Sequence, residues 1–293
     1  MKTAIVFSGQ GSQTVGMGFD FYQNFTQSKE VFEEVDETLR FPLSKIIFEG
    51  PEDILNQTQY TQPAVMAVSM AILRVMDISY QFTAGHSLGE YSALCATKSL
   101  TLKDTAWLLQ QRGKSFSSVQ GSMSVVLGLP LNQVREAAEK TGVFVANENS
   151  ALQTVISGVK ENILKANDLV LSMGAKRTIL LPVSGPFHSQ LMLPAQQTMR
   201  PIIEQADIKE PVVPVVSNVD AQTMTKPEDI KEKLIQQMVC PVRWQACVQT
   251  LIDKGVDCFV EVGAGRVLTG LIKRINPDVK TYSVNCIQDL DNL

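Results

Sequence analysis

The 293-residue chain has almost no histidine: two in all, His86 and His188. Chemistry that needs an imidazole near neutral pH must use one of these two. An excess of one charge sign is also missing. Twenty-six Lys and Arg stand against 30 Asp and Glu, a net charge of −4, so no broad positive field is available to hold nucleic acid or an anionic lipid surface. The five cysteines, Cys95, Cys240, Cys247, Cys258 and Cys286, form no CxxC pair. That argues against a disulfide framework and a thiolate zinc site; reduced thiols and no metal are expected. No apolar run is long. Ala64 to Met76 is broken by Ser69 and Arg74 and falls short of the roughly 20 residues that cross a bilayer. The opening MKTAIVFSGQGSQ has only a short apolar run before a Gly-rich turn, too short for the core of a signal peptide. A cytoplasmic protein with no membrane association is expected. What remains, 44% hydrophobic and 19% charged residues, is the composition of a globular protein of one large domain or two smaller ones.

The order of elements predicts an α/β fold. Thr3–Phe7 is a β-branched and aromatic strand running into Gly9-Gln10-Gly11-Ser12-Gln13, a tight turn. Helical patterning follows at Ser28–Leu39 and Pro63–Val75, then a strand at Tyr80–Ala84 ending on Gly85, the alternation of a parallel sheet. Between Ser122 and Pro182 the pattern becomes strand, helix, two strands, helix, strand: Met123–Leu127, Leu131–Thr141, Val143–Asn147, Thr154–Ser157, Lys160–Met173 and Arg177–Leu181. That is a ferredoxin-like βαββαβ unit. Alternation then resumes, with strands at Val212–Ser217, Asp257–Val262 and Thr281–Val284. The expected organisation is a large subdomain of residues 1–121 and 183–293 with a small one, 122–182, inserted.

Gly85-His86-Ser87-Leu88-Gly89 is a G-x-S-x-G sequence between a short strand and the helix-compatible Glu90–Leu94. That is the context of a nucleophile elbow, in which glycines permit a sharp turn and the serine is lifted to the sheet's carboxyl edge. The rival reading is a serine capping a helix. A serine hydroxyl needs a base to become a nucleophile. His86 is adjacent to Ser87 and should project away from the tip, which leaves His188, on the loop Ser184–Ser189, as the base. A tetrahedral intermediate also needs fixed donors for its oxyanion. Leu88 N–H supplies one by elbow geometry, and the turn at Gly9–Gln13 could bring Gln10 N–H as a second. That turn lacks Walker spacing, and Thr14 breaks the dinucleotide GxGxxG pattern, which argues against nucleotide binding.

Six segments, Gly9–Gln13, Tyr60–Ala64, Gly85–Glu90, Gln111–Lys114, Phe187-His188 and Glu261–Gly265, stand in the order found in malonyl-CoA:acyl carrier protein transacylases. The chain resembles that family over nearly its whole length. The resemblance implies an α/β-hydrolase-like large subdomain with a parallel sheet, a ferredoxin-like insertion, Ser87 as acylated nucleophile, His188 as base, and Gln10 and Leu88 as oxyanion amides. It implies that Arg112 grips the malonyl carboxylate, as a guanidinium can bidentately, and that acetyl groups are excluded because they would leave Arg112 unpaired. Phe187 would narrow the site against an α-methyl branch, and Met123 and Asn149 would line the cleft. An acyl carrier protein and a coenzyme A thioester are the implied partners, with no tightly held cofactor, and a monomer is expected.

Basic residues Lys176, Arg177, Arg266, Lys273 and Arg274 are candidates for docking an acidic carrier. In the family a main-chain carbonyl orients the imidazole; here it is expected near Pro241–Trp244. The sequence departs from the family's pattern at Ser8, usually Pro, at Ala264 and Arg266 in a usual Gly-Pro-Gly-Lys, and at Arg243, often Gln. A hydrolase on the same Ser and His, and a silent module that only binds the carrier, are the alternatives.

Overall fold

The computed structural model describes all 293 residues. The large sheet contains β1 (Thr3–Phe7), β2 (Phe82–Gly85), β7 (Val215–Val216), β8 (Thr223–Met224), β9 (Cys258–Val262) and β10 (Lys280–Val284). The small sheet contains β3 (Ser122–Leu127), β4 (Phe144–Ser150), β5 (Gln153–Gly158) and β6 (Arg177–Leu180). The large sheet runs β10-β9-β1-β2-β7-β8 and is parallel except for β8. Its central strands are buried throughout because helices cover both faces, so they read as continuous apolar runs. Ile5 and Phe7 face a core shared with Val65, Val68 and Leu109. Ala4, Val6 and Ala84 face Trp244, Val248, Leu251 and Leu268.

The small sheet is antiparallel in the order β4-β5-β3-β6, with helices Leu131–Thr141 and Lys160–Ser172 packed on it around Val134, Ile156, Ile163 and Val170. This is the expected ferredoxin-like arrangement, and the whole is α/β. The small sheet meets the rest of the chain where Val242, in the segment before the helix Trp244–Asp253, lies beside β4: Val242 N donates to Ala146 O and Glu148 N to Val242 O, both at 2.8 Å.

Several expected elements shift by a few residues, β4 running on to Ser150 among them, and two differ for a clear reason. The helix expected to start at Pro63 starts at Thr58 and carries Pro63 inside it. Proline removes one backbone donor there, and near-complete burial of that helix outweighs the loss. The strand expected at Val212–Ser217 shrinks to Val215–Val216 because Pro211 and Pro214 cannot donate to a ladder; pairing with β2 begins only where Pro214 O accepts from Thr83 N at 3.1 Å. No helix is long and apolar enough to cross a membrane.

Register positions the site. Phe7 pairs with Gly85 and with Val262, so the loops that follow β1, β2 and β9 leave the sheet side by side at its carboxyl edge, where open α/β sheets place ligands.

Candidate active site

The turn from β2 into the helix Gly89–Ala96 puts Ser87 at φ 55°, in the left-handed region. For a non-glycine residue that backbone is unfavourable and persists only where its surroundings hold it. The turn tolerates no bulk: a Cβ on Gly85 would sit 1.9 Å from the Gly89 carbonyl, and one on Gly89 would sit 2.3 Å from Phe7 O. Ser87 thus stands at the mouth of a cleft lined by Gln10, Gln62, Leu88, Met123, Phe187 and His188, among others.

His188 Nε2 lies 2.7 Å from Ser87 Oγ, and its Nδ1 lies 2.8 Å from Gln237 O. A carbonyl can only accept, so the proton sits on Nδ1 and Nε2 offers a lone pair to the serine hydroxyl. His188 is nearly inaccessible, and burial, then the Arg112 charge, push its pKa down to about 3. It is a neutral imidazole at physiological pH. The expected carbonyl near Pro241–Trp244 is corrected to Gln237, which lies at the end of the helix Pro227–Gln237. His86 makes no hydrogen bond to Ser87 Oγ, in keeping with the expectation that it projects away from the tip: it is half-buried, its Nε2 is 2.9 Å from Asn149 Oδ1 and its ring packs 5.7 Å from that of Trp244.

Arg112 comes from the helix Leu102–Ser117, whose first turn is capped by Thr101 Oγ1 accepting from Asp104 N at 3.0 Å. The next residue, Gly113, lets this helix press against Gln59 of the helix Thr58–Leu73; a Cβ there would lie 2.5 Å from Gln59 Cα. That close crossing brings Arg112 Nη1 to Gln62 Oε1 at 2.8 Å. Nη2 donates to Gln237 Oε1 at 2.8 Å and to Ser87 Oγ at 3.1 Å. The guanidinium lies over Phe116 at 4.2 Å and is fully buried. It forms no ion pair with any carboxylate. Burial pulls its pKa down to about 10, with Tyr91 and Glu90 opposing. A buried cation supported only by neutral amides, a hydroxyl and rings is short of a counter-charge.

Leu88 N–H, at the start of the helix Gly89–Ala96, and Gln10 N–H, after β1, donate to no protein group. Both residues line the cleft. Phe187 packs 4.8 Å from Phe116, and Met123 lies on the wall. Asn149, expected on the wall, sits one layer back against His86, and Asn147 takes the wall position. The alternation of β4 and its irregular pairing with β5 decide which asparagine faces in.

Sequence reasoning missed Gln237, Asn218 and Glu90. Gln237 Nε2 donates to Ser87 O at 3.0 Å; Asn218 Oδ1 accepts from Ser87 N at 2.8 Å; Glu90 Oε2 accepts from Asn218 N at 2.8 Å. Gln62, within the quoted Tyr60–Ala64 segment, was assigned no role.

Comparison with known proteins shows the family and the fold. The model of the acyl transferase domain family matches residues 4–285. A curated relative from Bacillus subtilis (strain 168), a malonyl CoA-acyl carrier protein transacylase, is 43% identical over 97% of this chain and 93% of its own. The crystal structure of an acyl-carrier-protein-S-malonyltransferase from Bartonella henselae superposes with a TM-score of 0.97 at 42% identity, covering 100% of this chain and 98% of that one. A type II PKS acyl-carrier protein in complex with its malonyl-transacylase gives a TM-score of 0.97 at 37% identity, covering 100% of this chain and 98% of that one.

Proposed function

Because the chain belongs to the acyl transferase domain family, among its malonyl CoA-acyl carrier protein transacylases, we propose that it moves a malonyl group from malonyl-CoA to the phosphopantetheine thiol of an acyl carrier protein through an ester on Ser87. The observation that carries this reading is the fully buried, carboxylate-free Arg112, whose Nη2 is 3.1 Å from Ser87 Oγ. An acyl group joined to Ser87 meets that guanidinium one methylene beyond its carbonyl, where malonate carries its second carboxylate.

The steps follow from the hydrogen bonds. Ser87 Oγ attacks the thioester carbonyl while His188 Nε2 takes the hydroxyl proton, and Gln237 O steadies the imidazolium through Nδ1–H. Gln10 and Leu88 amides receive the oxyanion. The C–S bond breaks, and His188 returns its proton to the departing coenzyme A thiolate. The carrier's thiol then attacks the seryl ester, losing its proton to His188. The ester C–O bond breaks, and that proton goes to Ser87 Oγ. No metal or held cofactor enters these steps, and the protein acts as a cytoplasmic monomer in fatty acid or polyketide synthesis. The Arg112 charge favours malonyl over acetyl, and Phe187, packed on Phe116, leaves little room for an α-methyl branch.

The hydrolase alternative has no support among the relatives. Of the cations named for the carrier, Lys273 is spent on Val279 O at 2.6 Å, Arg266 on Asp289 at 3.0 Å and Arg274 on Gln153 at 2.7 Å. Only Arg266 of these meets a carboxylate; Lys176 and Arg177, exposed and with no side-chain hydrogen bond or ion pair, are the pair taken to offer charge to the carrier. Incubation with labelled malonyl-CoA should leave one label per chain, lost in Ser87→Ala; labelling that survives this substitution refutes the assignment.

A further inference from the structure

We infer that Asn218 is a positioning residue: its carboxamide takes the place of a peptide unit beyond the end of β7 and holds the nucleophile's turn, and the buried Glu90 carboxyl holds Asn218. The inference rests on the malonyl-transfer reading above and assigns a function to groups that reading does not use.

The two strands β2 and β7 pair only through Thr83–Val215 and Ala84–Val216. Beyond them the chain of β7 turns away at Ser217, and on that side Ser87 N and Gly85 O have no backbone to bond, whereas His86 N still donates to Phe7 O of β1 at 3.0 Å. Asn218 fills that gap. Its Oδ1 accepts from Ser87 N at 2.8 Å and its Nδ2 donates to Gly85 O at 2.8 Å. The two bonds straddle His86, so they pin both ends of the segment in which Ser87 is held at φ 55°. Only a side chain carrying one acceptor and one donor in a plane can make both.

Asn218 is itself fixed from three sides. Its amide donates to Glu90 Oε2 at 2.8 Å, its carbonyl accepts from Arg243 N at 3.0 Å, and Gln237 Nε2 approaches its Oδ1 at 3.4 Å. Glu90 is wholly inaccessible and its Oε1 has no partner. A carboxyl so placed is costly, and its one hydrogen bond is to the residue that holds the nucleophile. The charged and titratable groups around this cluster are Arg112, Lys233, Asp220, Arg243, Tyr91, His86, His188 and Cys247.

The test uses single-turnover acylation by labelled malonyl-CoA across pH, with KM measured alongside, for the wild type, Asn218→Asp and Asn218→Ala. An aspartic acid at 218 when protonated keeps an acceptor and a donor; when ionised it turns an oxygen toward Gly85 O. Its burial and the neighbouring Glu90 raise its pKa. Asn218→Asp is therefore expected to acylate well at low pH and to lose about 10²-fold as pH rises through that pKa, the scale of a misplaced reacting group. Asn218→Ala is expected to be slow at every pH. KM, which reports the Arg112 contacts, should move little in both.

Folded variants that both follow the wild-type pH profile overturn the inference, because a residue that only supports the fold would lower the rate without changing its pH dependence. Glu90→Ala is the second variant. It leaves the carboxamide in place and removes the acceptor of its backbone amide, so slower acylation with KM held is expected, and a wild-type rate in the folded variant refutes the Glu90 step. A wild-type protein that forms no labelled ester refutes the malonyl-transfer reading instead.

Discussion

Replacing Arg112 by alanine tests the reading most sharply, because the damage can be worked out bond by bond. A guanidinium has five N–H groups. Three are committed, to Gln62 Oε1, Gln237 Oε1 and Ser87 Oγ, while Nε–H has no partner. Arg112 itself sits just behind the cleft lining, reaching it through Ser87 Oγ, and no Lys or Arg side chain lines the cleft to take over its charge. In Arg112→Ala the malonyl carboxylate would be desolvated without a partner. Breaking a buried charge pair by removing one member costs about 3–5 kcal/mol, which is roughly 10²–10⁴-fold in kcat/KM. Loss of the Arg112 contact to Ser87 Oγ also disturbs the nucleophile, but that damage is common to every acyl donor. The quantity to measure is therefore the ratio of kcat/KM for malonyl-CoA to that for acetyl-CoA, in which shared damage divides out. A site built around such a polar contact can discriminate by roughly 10⁴, and the ratio should fall by roughly 10²–10⁴ in the variant. Arg112→Lys should fall between, since an ammonium keeps the charge but cannot hold Gln62 and Gln237 in one plane while reaching the substrate. A ratio unchanged in Arg112→Ala would show that the guanidinium serves the fold and not the diacid.

The acid limb of activity should not be a histidine titration. The base must be neutral, and burial of His188 moves its pKa to about 3, so kcat/KM should stay level through pH 6.5. Because the unfolded chain binds that proton from about pH 6.5 downward, stability falls by up to about 1.4 kcal/mol per pH unit between 6.5 and 3. Loss of activity and loss of circular dichroism should therefore coincide; an activity drop near pH 6.5 in a folded protein would contradict this. Gly85→Ala should fail to fold or melt far lower, since its Cβ meets backbone at 1.9 Å, whereas Gly270→Ala, with nothing within 4 Å and a place inside the helix Val267–Ile275, should gain roughly 1 kcal/mol; equal melting temperatures would refute the steric argument. Lys176→Glu with Arg177→Glu should raise KM for the carrier and flatten its salt dependence while acylation by malonyl-CoA is untouched. Unchanged carrier kinetics would remove that pair from the docking surface.

The parts of this site that could be read from the sequence are those whose constraint is local. Gly85 and Gly89 flank Ser87 because a backbone turn two residues wide admits no Cβ, and such a constraint shows as a spacing. His188 could be reached by elimination, because the chain has only two imidazoles. The ferredoxin-like unit showed through its run of short strands and helices, each continuous in sequence. Gln237 and Asn218 belong to another class. Each makes contacts to residues more than 100 positions away, Ser87 among them, and neither amide side chain carries charge or unusual spacing that would set it apart from the chain's other amides. Their partners are the backbone of Ser87 and a single guanidinium, so what selects them is the geometry at the sheet edge after folding. The misplaced carbonyl shows the same thing: the residues around Pro241–Trp244 do approach the small subdomain, at Val242, but the imidazole is held one short turn earlier, by Gln237. Local steric rules write themselves into spacing; hydrogen bonds that close over long loops do not, and in this molecule the second kind ties Ser87, His188 and Arg112 together.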